Sequence, residues 1–158
     1  MSARPTSTID LPVPGSALRV TPAHPRTLVV TPSRCTGCRT CELACAISHG
    51  EPMRPARPRI RALSFSDKGN VPVLCLQCED AACVRVCPVQ ALTRNDRTDA
   101  IEVSTDRCIR CMLCVSACPF GNINEDPQAT CIVKCDLCGG DPICARFCPS
   151  GALVMQEP

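Results

Sequence analysis

CIRCMLCVSACP, residues 108–119, sets Cys108, Cys111, Cys114 and Cys118 at the spacing C-x2-C-x2-C-x3-C and ends on Pro119. Three thiols separated by two residues each wrap a short loop around one iron-sulfur cubane, successive sulfurs reaching three of its iron corners. The fourth thiol falls one helical turn past the third and points away from that centre, placed to ligate a neighbouring one. The proline that follows separates this short helix from extended chain.

Outward from this run the pattern recurs three times. Cys35, Cys38, Cys41 and Cys45 repeat the same spacing. Cys75, Cys78, Cys83 and Cys87 run C-x2-C-x4-C-x3-C before Pro88, and Cys135, Cys138, Cys144 and Cys148 run C-x2-C-x5-C-x3-C before Pro149. Only the first run lacks the proline; Ala46 follows Cys45 and leaves its helix free to continue through AISHG. Extended, β-branched pieces lead into the cysteines in TLVVTPSRC, NVPVLC and AIEVSTDRC, and CPVQAL and CPSGALVM repeat a helix-then-strand exit. Such short elements leave an interior of cluster, cysteine and small aliphatic side chains.

Composition agrees. The 45% hydrophobic fraction includes 17 cysteines; without them roughly a third of the 158 residues are apolar, with 3 Phe and no Trp or Tyr. A chain this poor in large apolar groups needs another source of cohesion. The N-terminus MSARPTSTIDLPVPGS shows no apolar signal region and no paired arginines, and no apolar run approaches membrane-spanning length. The expectation is a cytoplasmic protein without a membrane span, although a partner subunit could carry an export signal for both. In the cytoplasm thiols stay reduced and dense cysteine points to metal rather than disulfides. Zinc fits poorly, because structural zinc uses two pairs with a spacer, whereas the runs at 35 and 108 each place four cysteines within 11 residues. The formal charge of +2 is an apo-protein figure. Four oxidised cubanes, each net 2− with its thiolates, would take it to about −6. No basic, aromatic-interleaved tract points to nucleic acid.

One cysteine is left over. In TCIVKCDLCGGDPICARFCP, residues 130–149, Cys131, Cys135 and Cys138 form a C-x3-C-x2-C triplet of the kind that radical S-adenosylmethionine enzymes use. Such an enzyme needs most of a β/α barrel, only 20 residues follow Cys138, and Cys144 and Cys148 would be stranded. Cys131 is instead read as a strand residue sharing a face with Val133, a small buried hydrophobe.

The ordered set of four runs over residues 28–156, with Pro88, Pro119 and Pro149, resembles the four-cluster ferredoxin-like electron-transfer subunits of molybdenum and tungsten oxidoreductases, carbon monoxide dehydrogenases and hydrogenases. KCDLCGGDPICARFCPSGAL, residues 134–153, is similar to the short fourth motif of compact members, including those paired with tungsten aldehyde oxidoreductase or carbon monoxide dehydrogenase. The resemblance implies an α+β fold of two nested bacterial-ferredoxin-like modules around four 4Fe-4S clusters. The outer module takes residues 28–70 with 129–158, the inner module residues 71–128, and residues 1–27 form an extended Pro-rich arm. It also implies ligand sets that cross between runs. Cluster a takes Cys35, Cys38, Cys41 and Cys148; cluster b takes Cys135, Cys138, Cys144 and Cys45; cluster c takes Cys75, Cys78, Cys83 and Cys118; cluster d takes Cys108, Cys111, Cys114 and Cys87.

Other residues carry weaker signals. His49 is read as a partly exposed structural side chain rather than a group tuning a cluster, and His24 among prolines suggests nothing. Arg57, Arg59 and Arg61 alternate on one face of a strand closed by a DKGN turn, either a docking patch for an acidic partner or a solvated face. Lys134, directly before a ligand and one of two lysines, is placed to lie near a cluster. In the arm, Ile9, Leu11 and Val13 alternate while Pro12 and Pro14 block one edge, so the arm is read either as lying extended over a partner or a second copy or as simple disorder.

Cubanes with every iron held by sulfur have no open coordination site, so the expected role is non-catalytic relay of single electrons. The implied partners are a catalytic large subunit with a tungsten or molybdenum site, an aldehyde oxidoreductase foremost, and a flavin subunit or ferredoxin. Carbon monoxide dehydrogenase or hydrogenase partners and a free polyferredoxin are the alternatives.

Overall fold

The computed structural model describes residues 27–50, 56–67, 69–126 and 131–156; the N-terminal arm lies outside the described residues, except that Thr27 already begins the first strand. The fold is α+β, with short helices and short antiparallel strands. In chain order these are β1 (Thr27–Val30), α1 (Thr40–Ser48), β2 (Arg61–Phe65), β3 (Gly69–Val73), α2 (Ala82–Arg85), β4 (Leu92–Arg94), β5 (Ile101–Val103), α3 (Leu113–Ala117), β6 (Ile123–Asn124), β7 (Val133–Lys134), α4 (Ile143–Arg146) and β8 (Leu153–Gln156). Single 3-10 turns cover Pro32–Arg34 and Leu137–Gly140.

Each sheet is one antiparallel pair: β1 with β8, β2 with β3, β4 with β5, and β6 with β7. The β1–β8 ladder, from Thr27 opposite Gln156 to Val30 opposite Leu153, ties the two ends of the described chain together. Helix α1 packs on α4, and α2 on α3, so the helix of the first run meets that of the last and the two middle helices meet each other. A β/α barrel, which the triplet at Cys131 would need, is absent among the described residues.

Proline explains the helix lengths. Helices α2, α3 and α4 last 4, 5 and 4 residues because Pro88, Pro119 and Pro149 follow their last cysteine. Three residues after Cys87, Cys118 and Cys148, the chain turns through left-handed backbone at Gln90 (φ 50°), Gly121 (φ 61°) and Gly151 (φ 63°). In each turn this residue's N–H donates to the cysteine's carbonyl, at 3.2, 3.2 and 3.3 Å. With Ala46 in the proline's place, α1 continues for 9 residues, as expected. The β2–β3 hairpin also forms, with Phe65 opposite Gly69; its described turn residues are Ser66 and Asp67, Lys68 lies outside the described residues, and Gly69 and Asn70 already belong to β3. The expected strand carrying all three arginines does not; β2 starts at Arg61, behind Pro58, which lacks a donor for any ladder.

The interior divides in two. One cluster gathers Ile60, Ala62, Leu74, Ala100, Leu137 and Leu153 with Cys41, Cys45, Cys135 and Cys144. The other gathers Ala81, Leu92, Ile101, Ile123 and Ile132 with Cys114, flanked by half-buried Cys78, Cys83, Cys87, Cys108 and Cys118. The largest fully buried side chains among the described residues are only Ile60, Leu92, Ile101 and Leu153. At about 1.5–3 kcal/mol each they make a thin core. Cysteine therefore occupies the positions that aliphatic residues fill elsewhere.

Candidate metal centres

Each run opens with a C-x2-C loop, and in all four the residue before the second cysteine is left-handed: Gly37 (φ 73°), Gln77 (φ 51°), Arg110 (φ 54°) and Leu137 (φ 54°). The reversal curls the loop back on itself. For the three non-glycine residues it costs about 1–2 kcal/mol each, a strain that persists only where the surroundings fix it. Side chains brace the loops. Arg94 Nη2 donates to Cys78 O, and its Nη1 binds Asp99 O at 2.7 Å and Oδ1 at 3.0 Å. Asp136 accepts the Cys138 N–H at 2.9 Å.

The loops bring thiols of different runs together. One apolar pocket is lined by Cys75, Cys78 and Cys83 together with Cys118 from the next run. Another is lined by Cys108, Cys111 and Cys114 together with Cys87 from the preceding run. In the other half of the molecule the buried Cys41, Cys45, Cys135 and Cys144 share one apolar cluster, with Cys148 packed against it.

Electrostatics trace the same neighbourhoods. Burial pushes the Cys144 thiol up to about 12, and the negative charges that Cys135, Cys138, Cys45 and Cys41 would carry add to it. Burial likewise takes Cys135 to about 12 and Cys41 to about 11, with Cys148 among the charges acting on Cys41. Cys114 is raised to about 11 by burial, with Cys108 and Cys111 adding to it. Thiols this basic give up their protons only to a metal. For Cys87 and Cys148 burial is outweighed. The N–H groups of Ala91, Val89, Leu92 and Gln90 lower Cys87, and the Ser150 hydroxyl with the N–H groups of Leu153 and Ala152 lowers Cys148.

Tetrahedral zinc with bonds near 2.3 Å holds its sulfurs about 3.8 Å apart. Among the described residues, which include every cysteine, no three cysteine sulfurs lie within 4.8 Å of one another. The donor set, three thiols of one run with a fourth from its neighbour in each of two pockets, fits an iron-sulfur cluster.

Several side chains beyond the cysteines touch these sites. The Arg59 N–H donates to Cys45 Sγ at 3.3 Å, Thr40 Oγ1 to Cys38 Sγ at 3.4 Å and the Ala91 N–H to Cys87 Sγ at 3.2 Å. The side chain of His49 is only 14% exposed, with Nε2 3.6 Å from Cys138 Sγ and 3.7 Å from Asp136 Oδ1. The residue is partly exposed as expected, and its ring also reaches the Cys138 thiol. Burial first, then the charge of Arg59, lowers the His49 pKa and keeps the ring neutral. Burial resists ionisation of Asp136, but Arg59 and the Cys138 N–H hold its carboxyl below the usual value.

Arg57 and Arg61 are exposed and Arg59 is half-buried, and each is bound within the chain. Arg57 Nη1 binds Glu125 O at 2.6 Å, Arg59 Nη1 binds Asp136 Oδ2 at 2.5 Å, and Arg61 Nη2 binds Asn124 Oδ1 at 2.8 Å. Cys131 is half-buried at a bend ahead of β7 rather than in a strand; Ile132 takes the buried position. It lines a separate pocket with Arg59, Glu102 and Asp136. Gln77 gave no signal in the sequence, yet its Nε2 donates to Cys135 O at 2.9 Å and its Oε1 accepts the Ile101 N–H at 2.9 Å.

An α+β fold with paired cysteine loops of this kind defines an iron-sulfur protein. The chain belongs to the 4Fe-4S dicluster domain family, which it matches over residues 68–158, and it matches a 4Fe-4S binding domain over residues 32–46. It is 41% identical to the aliphatic sulfonate oxidoreductase polyferredoxin-like subunit of Pyrococcus furiosus, over 77% of this chain and 70% of that one. It is 34% identical to formate hydrogenlyase subunit 2 of Escherichia coli, over 84% of this chain and 82% of that one. A solved structure of the BamBC active-site complex of benzoyl coenzyme A reductase aligns over 84% of this chain and 80% of that chain, with 24% identity and a TM-score of 0.49. The relatives named as subunits belong to oxidoreductases. No helix among the described residues is long and apolar enough to cross a membrane.

Proposed function

We propose that this chain is the non-catalytic electron-transfer subunit of an oxidoreductase complex, holding four 4Fe-4S clusters in series. The observation that carries the reading is the pair of pockets in which three thiols of one run meet the fourth thiol of its neighbour. Cys75, Cys78, Cys83 and Cys118 would hold one cluster, and Cys108, Cys111, Cys114 and Cys87 the next. The packing of α1 on α4 and the β1–β8 ladder support the equivalent exchange between the outer runs. That exchange gives the sets Cys35, Cys38, Cys41, Cys148 and Cys135, Cys138, Cys144, Cys45. The domain reading that goes with it is an outer module of residues 28–70 and 129–158, an inner module of 71–128, and an arm of residues 1–27 whose proposed role is contact with a partner or a second copy.

Bound clusters supply reversible one-electron chemistry, within roughly −700 to +450 mV for this class of centre. The chain's own part is to hold them close together, exclude water with Ile60, Leu74, Ile101 and Ile123, and donate hydrogen bonds to their thiolates from Arg59, Thr40 and Ala91. Closed ligand sets would leave no iron with an open coordination position for a substrate.

The partner is a catalytic large subunit with a tungsten or molybdenum site, and a flavin subunit or ferredoxin takes up or delivers the electrons. The compact fourth motif supports this, and the similarity to a sulfonate oxidoreductase subunit supports an oxidoreductase as the partner and extends the substrate range beyond aldehydes. A formate hydrogenlyase-type complex is the second reading, favoured by the similarity to subunit 2 of that enzyme. The test is anaerobic isolation of the native complex and addition of the large subunit's substrate. Bleaching of the cluster absorbance is expected with the subunit attached and not with the large subunit removed; bleaching without the large subunit, or isolation of this chain alone, contradicts the reading.

A further inference from the structure

Lys134 is 2% exposed. Its Nζ donates to Ile101 O at 2.7 Å, Cys135 O at 2.9 Å and Gln77 Oε1 at 3.3 Å. Three acceptor oxygens match the three N–H bonds of an ammonium; a neutral amine would leave one acceptor unserved. Among the described residues no carboxylate lies within ion-pair distance of it. A buried charge without a counter-ion is expensive, so the compensating negative charge has to be close by and of another kind.

The surrounding chain identifies it. Lys134 immediately precedes the ligand Cys135, and Gln77 lies between the ligands Cys75 and Cys78. Gln77 holds Lys134 Nζ and the Ile101 N–H through Oε1, and Cys135 O through Nε2, so one amide joins both ligand loops to the cation.

We infer that Lys134 is the shared counter-ion of the two middle clusters, those on Cys45, Cys135, Cys138, Cys144 and on Cys75, Cys78, Cys83, Cys118, and raises the potential of both. The inference rests on the four-cluster reading. Each oxidised cluster with its thiolates is net 2−, and one electron makes it 3−. A fixed cation between them favours the reduced form of each. The first two electrons delivered by the catalytic partner, one per cluster, then settle in the middle of the relay before a one-electron acceptor draws them off. The chain thereby holds the product of a two-electron oxidation until two single transfers have removed it.

The test is an EPR-monitored redox titration of the loaded full chain and of Lys134→Met and Lys134→Arg, each with its iron count. In Lys134→Met two of the four clusters should become harder to reduce by at least tenfold in equilibrium constant, which is about 59 mV for one electron, and the other two should stay put. Lys134→Arg should keep the native pattern. Full iron with all four potentials unchanged, or an equal shift in all four, overturns the inference. If Lys134→Met does not load iron, the titration is read on Lys134→Gln, whose amide N–H groups still serve the two carbonyls; unchanged potentials there also overturn it. An iron count well below about 16 in the unmutated chain would instead sink the four-cluster reading.

Discussion

Cys118 belongs by sequence to the run that begins at Cys108, but in the structure it lines the pocket of Cys75, Cys78 and Cys83. This predicts a pattern of iron loss that adjacency in sequence would not. A cubane carries 4 Fe, so a chain with four clusters holds about 16 and loses about 4 when one ligand set is broken. Cys118→Ala should therefore leave about 12 Fe. Combined with Cys83→Ala it should still leave about 12, because both thiols serve one centre; combined with Cys114→Ala it should leave about 8, because two centres are broken. The reciprocal pair is Cys87→Ala, non-additive with Cys111→Ala and additive with Cys78→Ala. The assay is iron and sulfide per chain after anaerobic reconstitution and gel filtration. Additive loss for Cys118 with Cys83, and none beyond the single mutant for Cys118 with Cys114, would refute the crossed ligation.

Cys131→Ala should keep all the iron, since Cys131 stands apart from both cysteine pockets, whereas Cys135→Ala should lose about 4 Fe per chain. Gly37→Ala and Gly69→Ala both place a side chain on left-handed backbone (φ 73° and 75°), but a Cβ at Gly37 would stand 2.6 Å from Asn70 Oδ1, while at Gly69 nothing lies within 4 Å. The midpoint of guanidinium-induced cluster loss should fall further for Gly37→Ala, by the equivalent of about 1–3 kcal/mol for the added overlap; equal midpoints would contradict the packing described. Removal of iron by a chelator should abolish cooperative thermal unfolding, because metal binding here supplies folding energy. A sharp calorimetric transition in the iron-free chain would show that the thin aliphatic core suffices.

What the sequence made legible was local. Cysteine spacing and the proline after it determine where a loop ends, where one helical turn fits and where extended chain resumes, and Ala46 foretold the longer α1. Residues whose partner lies far along the chain were left open. Arg59 reaches Asp136, 77 positions away, and His49 reaches Cys138, 89 positions away. An alternating pattern says which face a side chain takes but not what waits on that face. Gln77 was opaque, and Lys134 was placed near a cluster without its partners, for a related reason, since a left-handed glutamine and a buried lysine both run against ordinary preference and are held only by the assembled loops. Cys131 was set apart from the ligands by counting and lines neither cysteine pocket, although its exact station before β7 required Ile132 to claim the buried site.

The central claim is that the cysteines hold cubanes and nothing else. Metal and acid-labile sulfide analysis of the anaerobically purified chain tests it most directly. The account predicts about 16 Fe and 16 sulfide per chain with negligible zinc; stoichiometric zinc, or iron and sulfide sufficient for only two clusters, would contradict it.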